Sequence, residues 1–132
     1  MIDLGPLDAF EVGKFRIFDF EGRQVGILRW GETEVYAVHN RCPHMGGPIC
    51  RGIPGPKIVS RGSGVPGAVE ADYDSPMVTC PWHKWEFQMK SGASVWDHKY
   101  RVRTYPVKVE AGRVFLGMRL PRARPRASNR TE

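Results

Sequence analysis

Two short segments of this chain each place one cysteine and one histidine close together. They read Cys42-Pro43-His44 and Cys80-Pro81-Trp82-His83. Two thiolates and two imidazoles can bind one tetrahedral zinc ion, or a cluster of two irons and two sulfides in which histidines replace cysteines on one iron. Because each segment carries one ligand of each kind, two facing loops can direct both thiolates to one iron and both imidazoles to the other. The sequence therefore offers four candidate metal ligands.

At these residues the sequence resembles the Rieske [2Fe-2S] proteins, whose two ligand loops contain Cys-x-His and Cys-x-x-His. The likeness continues in Met45-Gly46-Gly47-Pro48, in Lys84-Trp85-Glu86-Phe87 and in residues 105–115, and it covers residues 1–120 as a single domain. It implies one [2Fe-2S] cluster, with the cysteines on the inner iron and the histidines on the outer iron. The ligands that the resemblance implies are Cys42, His44, Cys80 and His83.

The resemblance also implies a function. In such a cluster each iron is ligated by two sulfides and two side chains, so neither iron has an open position for substrate or oxygen. The chain is therefore expected to be a one-electron carrier and not an enzyme. It would take an electron from a flavin-dependent ferredoxin reductase and deliver it to a terminal oxygenase of the ring-hydroxylating type. Met45, Trp82 and Lys84 would border the exposed histidines, and they are the candidates for partner contact.

Three alternatives remain open on the sequence. The chain is compatible with the electron-transfer subunit of another oxidoreductase, such as a nitrite reductase, and with a sensor whose cluster regulates a partner. Both would use the same four ligands. A zinc-stabilised interaction module is the alternative without redox chemistry, and it would be colourless, with one metal ion per chain.

The rest of the chain predicts an all-β fold. Residues 15–20, 24–30 and 34–39 are short segments rich in β-branched and aromatic residues, and they predict an antiparallel meander. Residues 102–109 and 114–118 predict two further strands joined by a hairpin turn at 110–113, and residues 7–12 predict a single turn. The resemblance implies an antiparallel β-sandwich base domain with an inserted cluster-binding subdomain at about residues 39–98.

Several residues depart from the family pattern. Many glycines and prolines between His44 and Cys80 predict a long irregular loop over residues 51–76. Lys84 stands where the family commonly has glycine. Trp85 and Phe87 stand where high-potential relatives carry Ser and Tyr hydroxyl groups. Because hydrogen bonds to the cluster sulfurs raise the reduction potential, their absence predicts a potential near the low end of the Rieske range.

The remaining cysteine and histidines are not expected to bind metal. In respiratory relatives each ligand loop carries an extra cysteine, and the two form a disulfide. Cys50 lies farther along the chain from Cys42 than the extra cysteine does in those relatives, so it is predicted to be a small buried thiol. His39 and His98 have no second ligand at a useful spacing. They are predicted to be a strand-end residue and a surface residue.

Composition limits the partners. The 132 residues suit one domain, and the net charge of +6 would fit nucleic acid if the basic residues formed one surface. Half of this net charge instead falls in a Pro/Arg-rich tail, residues 121–132, which is expected to be disordered, so no nucleic-acid partner is expected. No segment is long and apolar enough to span a bilayer, and the first residues do not resemble a signal peptide. A cytoplasmic location without a membrane partner is therefore expected.

Overall fold

The computed structural model describes residues 1–43, 46–60, 69–82, 84–95 and 99–117, and at 59, 60 and 69 it describes the backbone alone. These residues form ten β-strands and two short 3₁₀ turns, with no α-helix among them. The strands are β1 (Ile2–Pro6), β2 (Lys14–Phe20), β3 (Arg23–Arg29), β4 (Val35–His39), β5 (Ile53–Ser60), β6 (Val69–Thr79), β7 (Glu86–Gln88), β8 (Thr104–Tyr105), β9 (Val107–Glu110) and β10 (Arg113–Leu116). The predicted all-β class is confirmed.

The strands form three antiparallel sheets. An outer sheet has the order β1-β10-β9, a central sheet has the order β2-β3-β4-β8, and an insertion sheet has the order β5-β6-β7. In the chain the insertion sheet lies between β4, which ends at His39, and β8, which begins at Thr104. The outer and central sheets form the sandwich base, and the third sheet belongs to the inserted subdomain. This is the architecture that the sequence analysis expected.

The central sheet is buried on both faces. Four consecutive residues in the middle of β3 are buried, which requires apolar contacts on both sides because successive side chains alternate between faces. Val25 and Ile27 pack into a first core shared with the outer sheet. Leu28 and Val38 pack into a second core shared with the inserted subdomain. The central sheet therefore joins the base of the molecule to the subdomain that carries the candidate ligands.

The meander and its turns agree with the sequence analysis. Strands β2, β3 and β4 are consecutive antiparallel neighbours. Two turns have positive φ at both central residues, 53° and 92° at Glu21-Gly22 and 52° and 73° at Ala111-Gly112. That pattern is the one a type I′ hairpin turn requires. The second of these is the hairpin turn predicted at 110–113, and the turn predicted over residues 7–12 is the 3₁₀ turn Leu7–Ala9.

The single strand predicted over residues 102–109 is wrong. The chain instead forms β8 in the central sheet and β9 in the outer sheet, with Pro106 between them. Proline lacks the N–H that a continuous ladder would need, and its ring fixes φ. The chain therefore leaves one sheet at Pro106 and enters the other.

The irregular loop predicted over residues 51–76 is also wrong, because strands β5 and β6 pair there as an antiparallel hairpin. Pro54 and Pro56 lie in β5, which is an edge strand, and an edge strand tolerates residues without an N–H. The register then shifts between the pair Pro56 and Pro76 and the pair Lys57 and Asp72. The prolines and glycines that predict a loop are thus accommodated in an edge strand and beside the register shift.

Trp30 attaches this hairpin to the base. Its indole N–H donates a hydrogen bond of 2.7 Å to the carbonyl oxygen of Tyr73. The two rings also stack, with centroids 6.3 Å apart. Tyr73 lies within the β6 segment that the register shift leaves without a partner in β5. The irregular part of the hairpin therefore packs against the end of the central sheet.

Gly26 makes room for Cys50 in the second core. A Cβ atom on Gly26 would overlap the Cys50 side chain and would lie 3.1 Å from Cδ1 of Phe15. Cys50 is only 4% exposed, so its side chain has little space into which it could move. The central sheet and the segment that follows the first ligand loop therefore meet at this glycine.

Gly26→Ala is expected to lower the free energy of unfolding by about 1–3 kcal/mol, because the added methyl overpacks the core. Cys50→Ala in the same chain should recover part of the loss. Gly55→Ala is the matched control, since a methyl group there meets nothing within 4 Å. Denaturant unfolding followed by circular dichroism measures the three variants and the wild type. Equal effects of the two glycine substitutions would contradict this packing.

Candidate iron-sulfur site

The fold brings two of the four candidate ligands together. Cys42 lies in the loop after β4, and Cys80 directly follows β6. Their side chains are within hydrogen-bonding contact of each other, although the residues are far apart in the sequence. Both are free thiols, 2% and 0% exposed, and both belong to the second core. His44, His83 and Met45 lie outside the described residues, as do His98 and the tail 121–132.

The first ligand loop folds back on Cys42. The N–H of Cys42 donates to the carbonyl of Gly47 at 2.8 Å, and the N–H of Gly46 donates to the carbonyl of Cys42 at 2.7 Å. Further along, Ile49 and Cys50 are buried in the second core. The loop therefore begins at the central sheet, turns at Cys42 and returns to the same core.

The second ligand loop is closed in a similar way. The N–H of Cys80 donates to the carbonyl of Trp85 at 2.7 Å, and the backbone N–H of Trp82 donates to the Cys80 sulfur. The indole of Trp82 lies over the first loop, where a Cβ on Gly47 would be 2.9 Å from Cδ2 of Trp82. The two loops are thus in direct contact, and the small size of Gly47 permits it.

The surroundings of the thiols suit a metal centre. Burial raises the pKa of the Cys80 thiol above its usual value, the N–H of Trp82 opposes that rise, and the hydrogen bond and charge of Cys42 add to it. Two adjacent buried thiolates repel each other, so a cation between them is needed to keep both deprotonated. Two thiolate donors in an apolar pocket fit the cysteine-ligated iron of a [2Fe-2S] cluster.

An apolar wall lies beside the second loop. Phe87 is fully buried in the second core together with both cysteines. The Trp85 ring stacks on Phe87 at 6.4 Å and meets the Tyr100 ring edge-on at 5.1 Å. The positions that carry hydroxyl groups in high-potential relatives are therefore occupied by packed rings. This arrangement supports the low reduction potential that the sequence predicts.

Cys50 is a buried thiol, as the sequence predicted. Burial raises its pKa to about 12, and a hydrogen bond from the backbone of Gly26 acts weakly in the opposite direction. The thiol is therefore protonated at neutral pH and is a poor nucleophile or metal ligand. Its part in the site is to fill the core behind the first ligand loop.

His39 is the last residue of β4, so the strand-end position predicted for it is confirmed. Burial lowers the pKa of this imidazole, and the nearby guanidinium groups of Arg23, Arg103 and Arg41 lower it further. His39 is therefore neutral at pH 7. Its neighbours give the base of the first ligand loop a positive electrostatic potential.

Lys84 adopts a backbone conformation that the sequence analysis did not anticipate. Its φ is 59°, which lies in the left-handed region. A non-glycine residue there is strained, because its Cβ approaches the following carbonyl oxygen. The available signal was that the family resembled by the sequence commonly has glycine at this position, and glycine adopts positive φ without strain. Lys84 is exposed, as expected for a candidate partner contact.

Asn40 is a residue of the site that the sequence analysis did not predict. It precedes Arg41 and Cys42, and its side chain binds residues on both sides of the first ligand loop. An asparagine directly after a buried strand was the available signal, since its amide can satisfy the backbone groups at a strand end.

The sequence matches the family described as the Rieske-like [2Fe-2S] domain over residues 2–117. The chain belongs to this family, and it therefore has the binding residues for one [2Fe-2S] cluster. The family assignment favours the cluster over the zinc alternative.

Two relatives with known activities match at low identity. The chain is 26% identical to 4beta-methylsterol monooxygenase of Methylococcus capsulatus over 85% of its own length, but it spans only 27% of that protein. It is 22% identical to the ferredoxin component of the alkene monooxygenase system of Xanthobacter autotrophicus, over 88% of this chain and 80% of that one. The chain thus corresponds to one part of the first protein and to most of the second.

Solved structures share the fold. The ferredoxin of carbazole 1,9a-dioxygenase from Nocardioides aromaticivorans superposes with a TM-score of 0.64 at 22% identity, covering 90% of this chain and 100% of that one. A candidate small subunit of NADH-dependent nitrite reductase from Mycobacterium tuberculosis gives 0.65 at 26% identity, with 86% and 90% covered. A ferredoxin in complex with the oxygenase of a carbazole 1,9a-dioxygenase gives 0.63 at 18%, with 87% and 99% covered. The Rieske fold predicted from the sequence is confirmed.

No helix in the described part of the chain has the length and apolar character that crossing a membrane would require.

Lys84→Gly is expected to raise the free energy of unfolding by about 0.5–1 kcal/mol, because glycine relieves the left-handed strain at some cost in chain entropy. Lys90 is also exposed but is not among the residues with positive φ, so Lys90→Gly is the matched control and should destabilise the protein. Thermal unfolding of the two variants measures the difference. A lower melting temperature for Lys84→Gly than for the wild type would contradict this strain.

Cys42→Ala and Cys80→Ala are each expected to abolish the visible absorption and the rhombic EPR signal of the reduced cluster, because each removes a candidate iron ligand. Cys50→Ala is the matched control, and it should keep both signals with two irons per chain. Iron, sulfide and zinc analysis of the same samples completes the test. Wild-type protein that holds zinc and gives no EPR signal after reduction with dithionite would contradict the assignment.

Proposed function

We propose that this domain is a one-electron carrier of the cytoplasm, which accepts an electron from a flavin-dependent ferredoxin reductase and delivers it to a terminal oxygenase of the ring-hydroxylating type. The observation that carries the proposal is the contact of two buried thiols from the two ligand loops in a chain of the Rieske family. The domain itself performs no bond-making reaction, so the proposal is for an electron-transfer component and not an enzyme.

The four ligands have distinct roles in this proposal. Cys42 and Cys80 hold the inner iron on the side of the second core, where burial excludes water from the thiolates. His44 and His83 would be the ligands of the outer iron, as the ligand pattern of the family implies. The bound cluster supplies a site that stores one electron.

The partner would bind where the two ligand loops meet. Trp82 is 50% exposed there, and Ile53, which pairs with Thr79 next to Cys80, is 74% exposed. Large apolar side chains that remain exposed are typical of protein interfaces. Lys84 adds a positive charge to this face, and Met45 follows the first candidate histidine in the sequence. Contact here would give the electron a short path between the two proteins.

The named relatives support an oxygenase as the acceptor. The alkene monooxygenase relative is a ferredoxin component, and one structural neighbour is a ferredoxin bound to the oxygenase of carbazole 1,9a-dioxygenase. An electron-transfer subunit of a nitrite reductase is the second candidate, because the neighbour from Mycobacterium tuberculosis has the higher identity of 26%. Both candidates use the same cluster and differ in the acceptor.

The experiment is a relay assay with purified proteins. The chemically reduced protein is mixed with a purified ring-hydroxylating oxygenase, and reoxidation of its cluster is followed by stopped-flow absorbance. Electron transfer to the oxygenase is expected. Transfer to a nitrite reductase but to no oxygenase would support the second candidate, and transfer to neither would contradict both.

Lys84→Glu is expected to slow this transfer about tenfold at low ionic strength, because reversing a charge on the docking face changes electrostatic steering. Lys90→Glu is the matched control, since Lys90 lies beyond the opposite end of β7 from the second ligand loop. Both variants should keep the EPR signal of the wild type. Equal rates for the two variants would argue against this face as the docking surface.

A further inference from the structure

One side chain joins the two ends of the first ligand loop. The Asn40 side-chain oxygen Oδ1 accepts a hydrogen bond of 2.8 Å from the backbone N–H of Cys50. Its amide nitrogen Nδ2 donates one of 2.9 Å to Oε1 of Gln24. The backbone N–H of Asn40 donates a further bond of 2.8 Å to the carbonyl of Gln24. Asn40 is therefore bound to β3 on one side and to the far end of the loop on the other.

Cys42 lies inside the segment that these bonds close. It is two residues after Asn40, and its own backbone bonds to Gly46 and Gly47 form a smaller closed ring within the segment. At the far end, Ile49 is fully buried and Cys50 is 4% exposed. The Cys42 thiol therefore belongs to a segment whose two ends are joined through the Asn40 side chain.

The Asn40 side chain holds only the Cys50 end of the loop. A buried backbone N–H needs an acceptor, and within the described residues Asn40 Oδ1 is the acceptor of this one. The near end of the loop has a backbone bond to Gln24 that does not involve the Asn40 side chain. Removing the side chain would thus release the far end of the loop and leave the near end in place.

We propose that Asn40 is a positioning residue for the [2Fe-2S] cluster. Its amide fixes the separation between the start of the first ligand loop and Cys50, and so aims the Cys42 thiolate at the inner iron. The proposal rests on the cluster that the family binds and does not depend on which protein receives the electron.

The chemistry of the amide allows it to be tested by substitution. Asparagine offers one acceptor and one donor at this site, and both are used. Aspartate keeps the acceptor for Cys50, and the side-chain amide of Gln24 can rotate to donate its N–H group to the carboxylate. Alanine removes both groups. Glutamine keeps both groups on a side chain one methylene longer, which changes the separation of the loop ends. Gln24→Ala removes only the Gln24 amide, whose Oε1 is the group that accepts the hydrogen bond from Nδ2 of Asn40.

The control is a similar bond outside the ligand loops. The hydroxyl oxygen of Ser91 accepts a hydrogen bond of 3.1 Å from the N–H of Ala93. Ser91→Ala therefore removes a side-chain acceptor from a backbone N–H without touching either ligand loop. It separates general loss of stability from misplacement of a ligand.

The experiment follows the release of the cluster from the holoprotein into excess EDTA, by the decay of visible absorbance at a temperature below unfolding. The EPR spectrum after reduction and the melting temperature are measured on the same samples. Asn40→Ala is expected to release the cluster at least about tenfold faster and to shift the g values, as loss of an outer-shell partner typically does. Asn40→Asp and Gln24→Ala should stay close to the wild type. Ser91→Ala should lower the melting temperature without faster release.

Three results would overturn the proposal. One is wild-type release and wild-type g values in Asn40→Ala. Another is release from Asn40→Asp as fast as from Asn40→Ala, since the acceptor would then be irrelevant. The third applies if Asn40→Ala yields no holoprotein. Asn40→Gln is then measured instead, and wild-type g values in Asn40→Gln would overturn the proposal. Absence of a Rieske signal in the wild type would instead contradict the cluster assignment, and failure of the relay assay would contradict only the proposed function.

Discussion

The second core is the interaction on which the candidate site depends. The face of the central sheet that carries Leu28 and Val38 packs against the two ligand loops. Cys42 and Cys80 are themselves members of that core. The two candidate ligands are thus held by the same contacts that fold the inserted subdomain onto the base. Because the central sheet also packs against the outer sheet, the position of the thiols is determined by the whole domain and not by the loops alone.

This arrangement gives the two ends of the site different surroundings. On the inner side, the thiols lie among packed aliphatic and aromatic groups that exclude water and lower the local dielectric constant. On the outer side, Trp82 and Lys84 are exposed. A centre that is insulated on one side and open on the other would exchange electrons through the open end, both when it accepts an electron and when it delivers one. The packed rings of Trp85 and Phe87 form part of the insulation.

Local patterns in the sequence predicted much of this molecule. The alternation of apolar residues and the glycines at turns were sufficient for the meander, and the two ligand boxes identified cysteines that the fold does bring together. The errors came where tertiary context decides. Prolines predict a loop unless the strand lies at a sheet edge, as β5 does, and the sequence does not state which strands are edges. The hydrogen bonds of Asn40 join residues from three segments, so its place directly after a strand could mark it as a candidate but could not identify its partners.

The irregularity in β6 has a further consequence for how this domain can change over evolution. The inner part of the hairpin, which ends at Thr79 beside Cys80, is separated from the outer part by the register shift after Pro56. The outer part begins where Lys57 pairs with Asp72, so the two strands that enter and leave it are already adjacent. Lengthening or shortening a segment whose ends are adjacent costs little loop-closure entropy and need not move the strands before it. The outer hairpin is therefore a segment whose length can change while the cysteine positions are preserved.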